Sequence, residues 1–168
     1  MKRFLFLITI LYSSGVFAQD NPLLKAVSLG AELGIPGFGV YSIGVGVSAK
    51  GELPVSDQFA ITATAAYSAF FHKDNLFPDS KTLPAATFVP LKAGLKFYAN
   101  PRVFIEGELG TAIENNYLRR DLFAFSIGPG FIIPIKDKTG VECGLRYEKW
   151  SQHQVQQTTI RFAYRLGW

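Results

Sequence analysis

Apolar and polar residues alternate one by one through most of this chain, in segments about ten residues long that are broken by turn chemistry. A period of two places successive side chains on opposite faces of a strand, whereas a helix repeats every 3.6 residues. Eight segments carry the alternation: 25–35, 40–50, 58–71, 88–98, 102–113, 122–135, 141–149 and 158–168. In the last, Ile160, Phe162, Tyr164, Leu166 and Trp168 fall on one face and Thr159, Arg161, Ala163, Arg165 and Gly167 on the other. Spanning strands need about 9–11 residues, and bacterial barrels use an even number of them. The pattern predicts an all-β fold, an eight-stranded antiparallel up-and-down transmembrane β-barrel.

The connections alternate as well. Tight links fall at 51–56, 99–101 and 136–140, and longer polar ones at 72–87, 114–121 and 149–157; the short link at 36–38 is the exception. Short periplasmic turns and long extracellular loops are the expected asymmetry, and an even strand count puts both termini in the periplasm.

Which face points outward follows from size. One face holds residues such as Leu29, Leu33, Val45, Val47, Ile61, Leu95, Ile105, Leu109, Phe131 and Leu145. An eight-stranded barrel has an interior just wide enough for its side chains, so this many large ones belong outside. The other face is rich in small residues, among them Ser42, Gly44, Gly46 and Ser48, and Ser126, Gly128 and Gly130. Aromatic girdles at the two interfaces would comprise Tyr41, Tyr67, Phe71, Phe123 and Tyr147 on the outer side and Phe59, Phe97, Tyr164 and Trp168 on the inner. Three prolines interrupt the strands. Pro134 lies near a turn, Pro90 near the outer end of the fourth strand, and Pro129 between two glycines predicts a bulge.

The first residues read differently. Lys2 and Arg3 precede an apolar run from Phe4 to Tyr12, and Val16-Phe17-Ala18 ends on a small residue, the pattern of a cleaved signal peptide over 1–18. The barrel domain is then 19–168. The apolar run is too short for a spanning helix, which needs about 20 residues. No cysteine near the cut offers a lipid attachment point, and the single cysteine, Cys143, is expected to be a packed apolar residue on a strand face. Half of the formal charge of +4 leaves with Lys2 and Arg3, which argues against nucleic acid as a partner.

Charge on the inward face is the main chemical feature. Glu32, Lys50, Lys92, Lys96, Glu106, Glu108, Glu142, Arg146, Glu148, Arg161 and Arg165 share it, five acids against six bases. Buried charges must be paired to be tolerated, so the reading is an ionic network that closes the lumen, with a narrow ion-conducting pore as the alternative. A lipid A or phospholipid modifying enzyme is the further alternative, resting only on Ser151 and His153 in one loop. The two histidines, His72 and His153, are too far apart in sequence to suggest a metal site, and no cofactor is implied. Lys73, Lys81, Arg119 and Arg120 fall in outer loops, where they would meet lipopolysaccharide phosphates or an unidentified protein partner.

The segments 44–67, a descending strand, a Pro-Val-Ser-Asp turn and an ascending strand ending in tyrosine, and 160–168 together resemble the small outer-membrane barrels of the OmpA/OmpX-like superfamily, of the short "outer membrane protein beta-barrel domain" type. The resemblance covers the mature chain and implies a monomer in the outer membrane of a Gram-negative bacterium. Such barrels include structural proteins, adhesins, enzymes and partners of larger machines; the expectation here is a structural or surface-interaction role without enzymatic activity and, unlike the larger family members, without a peptidoglycan-binding domain, since the chain ends at its last strand. The alternation ending on an aromatic is similar to the C-terminal signal read by the barrel assembly machinery, with Tyr164, Leu166 and Trp168 as its residues. Deleting Trp168, or making Trp168→Asp, should lower the amount of folded protein in outer-membrane fractions on an immunoblot; normal insertion would remove that assignment.

Overall fold

In a strand that never leaves a closed wall, every backbone N–H and C=O can be satisfied by its two neighbours, which is what hydrocarbon surroundings demand. A computed structural model describes residues 23–37, 39–73, 84–116, 121–151 and 155–168 of this chain. Its strands are β1 (Ala26–Pro36), β2 (Tyr41–Pro54), β3 (Phe59–His72), β4 (Ala86–Asn100), β5 (Val103–Glu114), β6 (Asp121–Lys136), β7 (Thr139–Trp150) and β8 (Gln156–Gly167). Each pairs antiparallel with the next, and β1 pairs with β8 from Ala26↔Gly167 to Pro36↔Gln157, so the sheet closes without an edge.

The short turns between β2 and β3, β4 and β5, and β6 and β7 lie at one end, the turn end. Trp168 donates its N–H to the Lys25 carbonyl there, at 2.9 Å. The other connections form the loop end. Residues 1–18, the expected signal peptide, lie outside the described residues, as do Lys81, Arg119, Arg120 and His153.

The large apolar side chains face outward: Leu29 is 62 % exposed and Val47 61 %, values that would be anomalous on a soluble surface. They form the apolar band that a spanning barrel presents to lipid. Cys143 is buried on the wall, in register between Phe131 of β6 and Phe162 of β8.

Three expectations need correction. Tyr41 is not in the outer girdle, and Ser42 is not in the lumen. The β2–β3 register shifts between Tyr41 and Ile43, and the extra residue leaves Ser42 and Ile43 both exposed while Tyr41 turns inward and is buried. A bulge re-aims a side chain in this way because one residue goes unpaired. Pro129 makes no bulge. Ile127↔Tyr147 and Gly130↔Gly144 keep one register across it, with the pairing lapsing at Gly128 and Pro129; the register shift of the β6–β7 pair lies instead between Pro134 and Lys136, beside the turn. Pro90 lies well inside β4 and acts the same way: Leu91↔Ala65 and Phe88↔Ser68 hold one register around a short lapse. Both prolines therefore cost hydrogen bonds without turning any side chain over.

Inward glycines set how closely neighbouring strands pack. A Cβ on Gly110 would run into the Leu91 carbonyl and the Lys92 Cα, whereas one on the outward-facing Gly107 meets nothing within 4 Å. Gly110→Ala should cost about 1–3 kcal/mol through overpacking. Gly107→Ala should be neutral or stabilise by up to roughly 1 kcal/mol through reduced backbone entropy in the unfolded chain. Urea unfolding of the refolded barrel in lipid vesicles compares the two.

Candidate functional site

The even-numbered residues of β4 to β7 point into the lumen, as do the alternate residues of the remaining strands, and these positions build three layers along the barrel axis. The middle layer is ionic. Arg146 pairs with Glu32 at 2.7 Å, Arg161 with Glu142 at 2.9 Å, Lys92 with Glu148 at 2.9 Å and Glu108 at 3.3 Å, and Lys50 with Glu106. Lower in the barrel Lys96 lies between Glu142 at 2.7 Å and Glu52 at 3.0 Å, and Glu52 also meets Arg165 at 3.1 Å. Links of Arg146 to Glu148 at 3.5 Å and of Arg161 to Glu32 at 3.6 Å join the rest, so among the described residues six acids and six bases form one connected set.

Hydroxyls fill the remaining hydrogen-bonding positions. Thr64 donates to Glu108 at 2.5 Å and Ser126 to the same carboxylate at 3.1 Å, while Arg161 donates to Ser48 Oγ at 2.9 Å and Ser28 Oγ at 3.0 Å. Desolvating an ion costs several kcal/mol unless partners surround it, and every member of the set except Glu106 and Arg165 has more than one opposite neighbour. The Lys96 ammonium also sits 3.8 Å from the centre of the Phe104 ring, a favourable place for a cation.

Aromatic layers cap this set at both ends. At the loop end Phe88 stacks edge-on to Trp150 with ring centres 4.9 Å apart, Phe70 lies 5.5 Å from Trp150, and the re-aimed Tyr41 lies 5.3 Å from Phe70. Leu122, Val155 and three alanines complete the cluster. Trp150 spends its indole N–H on Glu148 at 3.0 Å, which ties this cap to the ionic layer. At the turn end Tyr98, Phe104 and Ala60 form a smaller cluster against Leu23 and Ile132, and the Tyr98 hydroxyl donates to Glu52. Among the described residues, small voids lie inside, about 20 Å³ beside Glu106 and Arg146 and about 10 Å³ beside Glu32 and Gln157.

All eleven inward charges anticipated from sequence lie in the network. Glu52 was missed because the second strand was ended at Lys50; it runs to Pro54, and the parity of Ser48 and Lys50 continued by two residues would have found it. The caps escape the sequence pattern for a related reason: Phe70, Phe88, Phe104 and Trp150 have inward parity, but the size argument places bulky apolar side chains outside. Glu114 is a further acid at the loop end, 5 % exposed, with no hydrogen-bond partner for its Oε2. Of the loop cations, Lys73 is exposed just beyond β3. Ser151 uses its Oγ to accept the Phe123 N–H at 3.0 Å, a structural employment of the hydroxyl on which the catalytic alternative depended.

No family model matches the chain, and no curated protein does. Among solved structures, Ail, the attachment invasion locus protein of Yersinia pestis, aligns with a TM-score of 0.58 and 16% identity, over 87% of this chain and 100% of that one. The chain has the fold of the small outer-membrane β-barrels. Neisserial surface protein A matches with a TM-score of 0.54 at 10% identity, covering 86% and 96% of the two chains. A de novo designed transmembrane β-barrel matches at 0.51 and 11% identity, over 88% and 99%. So small an outer-membrane-type barrel, shared with a designed sequence, is reached from patterning and closure with few residues in common.

Removing one member of a buried ionic set strands its partners, at a cost of about 3–5 kcal/mol. Lys96→Met should show a loss of that size in urea unfolding. Adding Glu142→Gln should return part of it, because one stranded charge is then gone.

Proposed function

We propose that this protein spans the outer membrane of a Gram-negative bacterium as a monomeric, closed barrel, and that it acts through its loop end on the cell surface, not by catalysis or transport. The observation that supports this reading is the lumen: a balanced ionic layer with an aromatic cluster toward each mouth, and voids of about 20 and 10 Å³ among the described residues. A path for ions would need those clusters to part and several charge pairs to separate at once. The exposed apolar belt supports membrane residence. In this reading both termini are periplasmic, residues 1–18 are removed on export, and Tyr164, Leu166 and Trp168 are presented to the barrel assembly machinery.

The surface role falls to the loop cations. Lys73, Lys81, Arg119 and Arg120 belong to connections at one end of the barrel, where the phosphates of lipopolysaccharide supply anions for charge-assisted hydrogen bonds. Such pairing weakens with salt when solvent-exposed. Replacing the four by alanine should reduce binding of lipopolysaccharide micelles to the purified barrel in low salt without changing its fold. Equal binding would remove this contact from the proposal.

Planar bilayers and gel mobility test the rest. A closed β-barrel should migrate differently before and after boiling in detergent and should show no unitary conductance. Steady conductance that changes on Arg146→Gln or Arg161→Gln would replace closure with the narrow-pore reading.

A further inference from the structure

We propose that the void beside Gly144 is a binding site for one ordered water molecule, which completes the ionic layer of the lumen. The proposal rests on the charged lumen described above and not on its failure to conduct.

Three independent features meet at this place. The void measures about 20 Å³ and is lined by Gly144, Gly128, Glu106 and Arg146 among others. A water needs about 10–15 Å³ and two to four polar partners. Buried Glu106 Oε1 and Arg146 Nε, both from lining residues, make no hydrogen bond within the protein, the nearest carboxylate oxygen to Arg146 Nε being the ion-paired Glu148 Oε2 at 3.5 Å. A water there would donate to the carboxylate oxygen and accept from the guanidinium N–H. The third feature is Gly144 itself. It takes an inward position on β7 between Glu142 and Arg146, and a Cβ built on it meets nothing within 4 Å. Gly94, Gly110 and Gly128 differ, because a Cβ on any of them would strike neighbouring backbone. Gly144 thus leaves open a space that strand packing does not require.

Charge and size identify the ligand class. Lys50, Arg146 and Arg161 line the void together with Glu106, Glu108 and Glu142, three cations against three anions. A balanced ring favours a neutral dipole over an ion of either sign. The volume excludes anything much larger than water. Leaving Glu106 Oε1 and Arg146 Nε without such a partner would carry a desolvation cost for those two atoms.

The test uses the full barrel refolded in deuterated micelles. Water–amide cross-relaxation should give a peak at the water frequency for the Gly144 amide in the wild type, and Gly144→Ser, whose hydroxyl replaces the water, should remove it. Absence of the wild-type peak, or its persistence in the serine variant, overturns the site. Urea unfolding gives a second readout. Alanine at an ordinary strand glycine raises stability, so a dry void predicts a higher urea midpoint for Gly144→Ala. Displacement of a bound water predicts a lower midpoint for alanine than for serine and the wild type. A higher midpoint for alanine than for both overturns the proposal. Conductance of the same wild-type sample reports separately on closure: a conducting barrel with the water peak keeps this site and refutes only the closed lumen.

Discussion

An eight-stranded sheet closed on itself encloses a space barely wide enough for the side chains that point into it, and most of this structure follows from that width. Closure is forced by the backbone, since an open edge in hydrocarbon leaves donors and acceptors unpaired. Here β1 meets β8 in continuous register and no edge remains. Once the wall is closed, volume inside is scarce and area outside is plentiful. Large apolar residues such as Leu29 and Val47 therefore go to the exterior, and the interior takes glycines, small hydroxyls and a limited set of long side chains.

Charges in so narrow a space would be prohibitive singly. They are tolerated here because β1, β2, β4, β5, β7 and β8 bring opposite signs together in the lumen, so Lys92, Lys96, Arg146 and Arg161 each touch two or more carboxylates. Hydroxyls of Ser28, Ser48, Thr64 and Ser126 take up what the charges leave over. The long stems of lysine and arginine fill volume as well as carry charge. Aromatic rings pack against both ends of this set, and ion pairs are stronger in such low-dielectric surroundings than in water.

The caps are tied to that ionic layer by hydrogen bonds. Trp150 and Tyr98 each have one polar atom, and each spends it on a network carboxylate, Glu148 and Glu52. Their rings face the mouths. A single residue thus satisfies two opposed demands, apolar closure toward the end and hydrogen bonding toward the middle. At the loop end the arrangement also needs the β2 bulge, without which Tyr41 would face outward and leave Phe70 and Phe88 less covered.

Much of this was legible in the residues alone. Alternation with period two determined strand number, antiparallel order and which face is greasy, because strand side chains have no other way to alternate. The eleven inward charges followed from parity. Tertiary structure decided the remainder: that Glu52 joins the network, that Tyr41 turns inward, that Pro129 and Pro90 leave the register intact, and that bulky rings cap the lumen. The physical reason is common to all four. Parity is a local property, read along one strand, but strand ends, bulges and the filling of the lumen depend on what lies across the barrel, and residues such as Glu52 and Lys96, or Tyr41 and Phe70, are neighbours only after the sheet has closed.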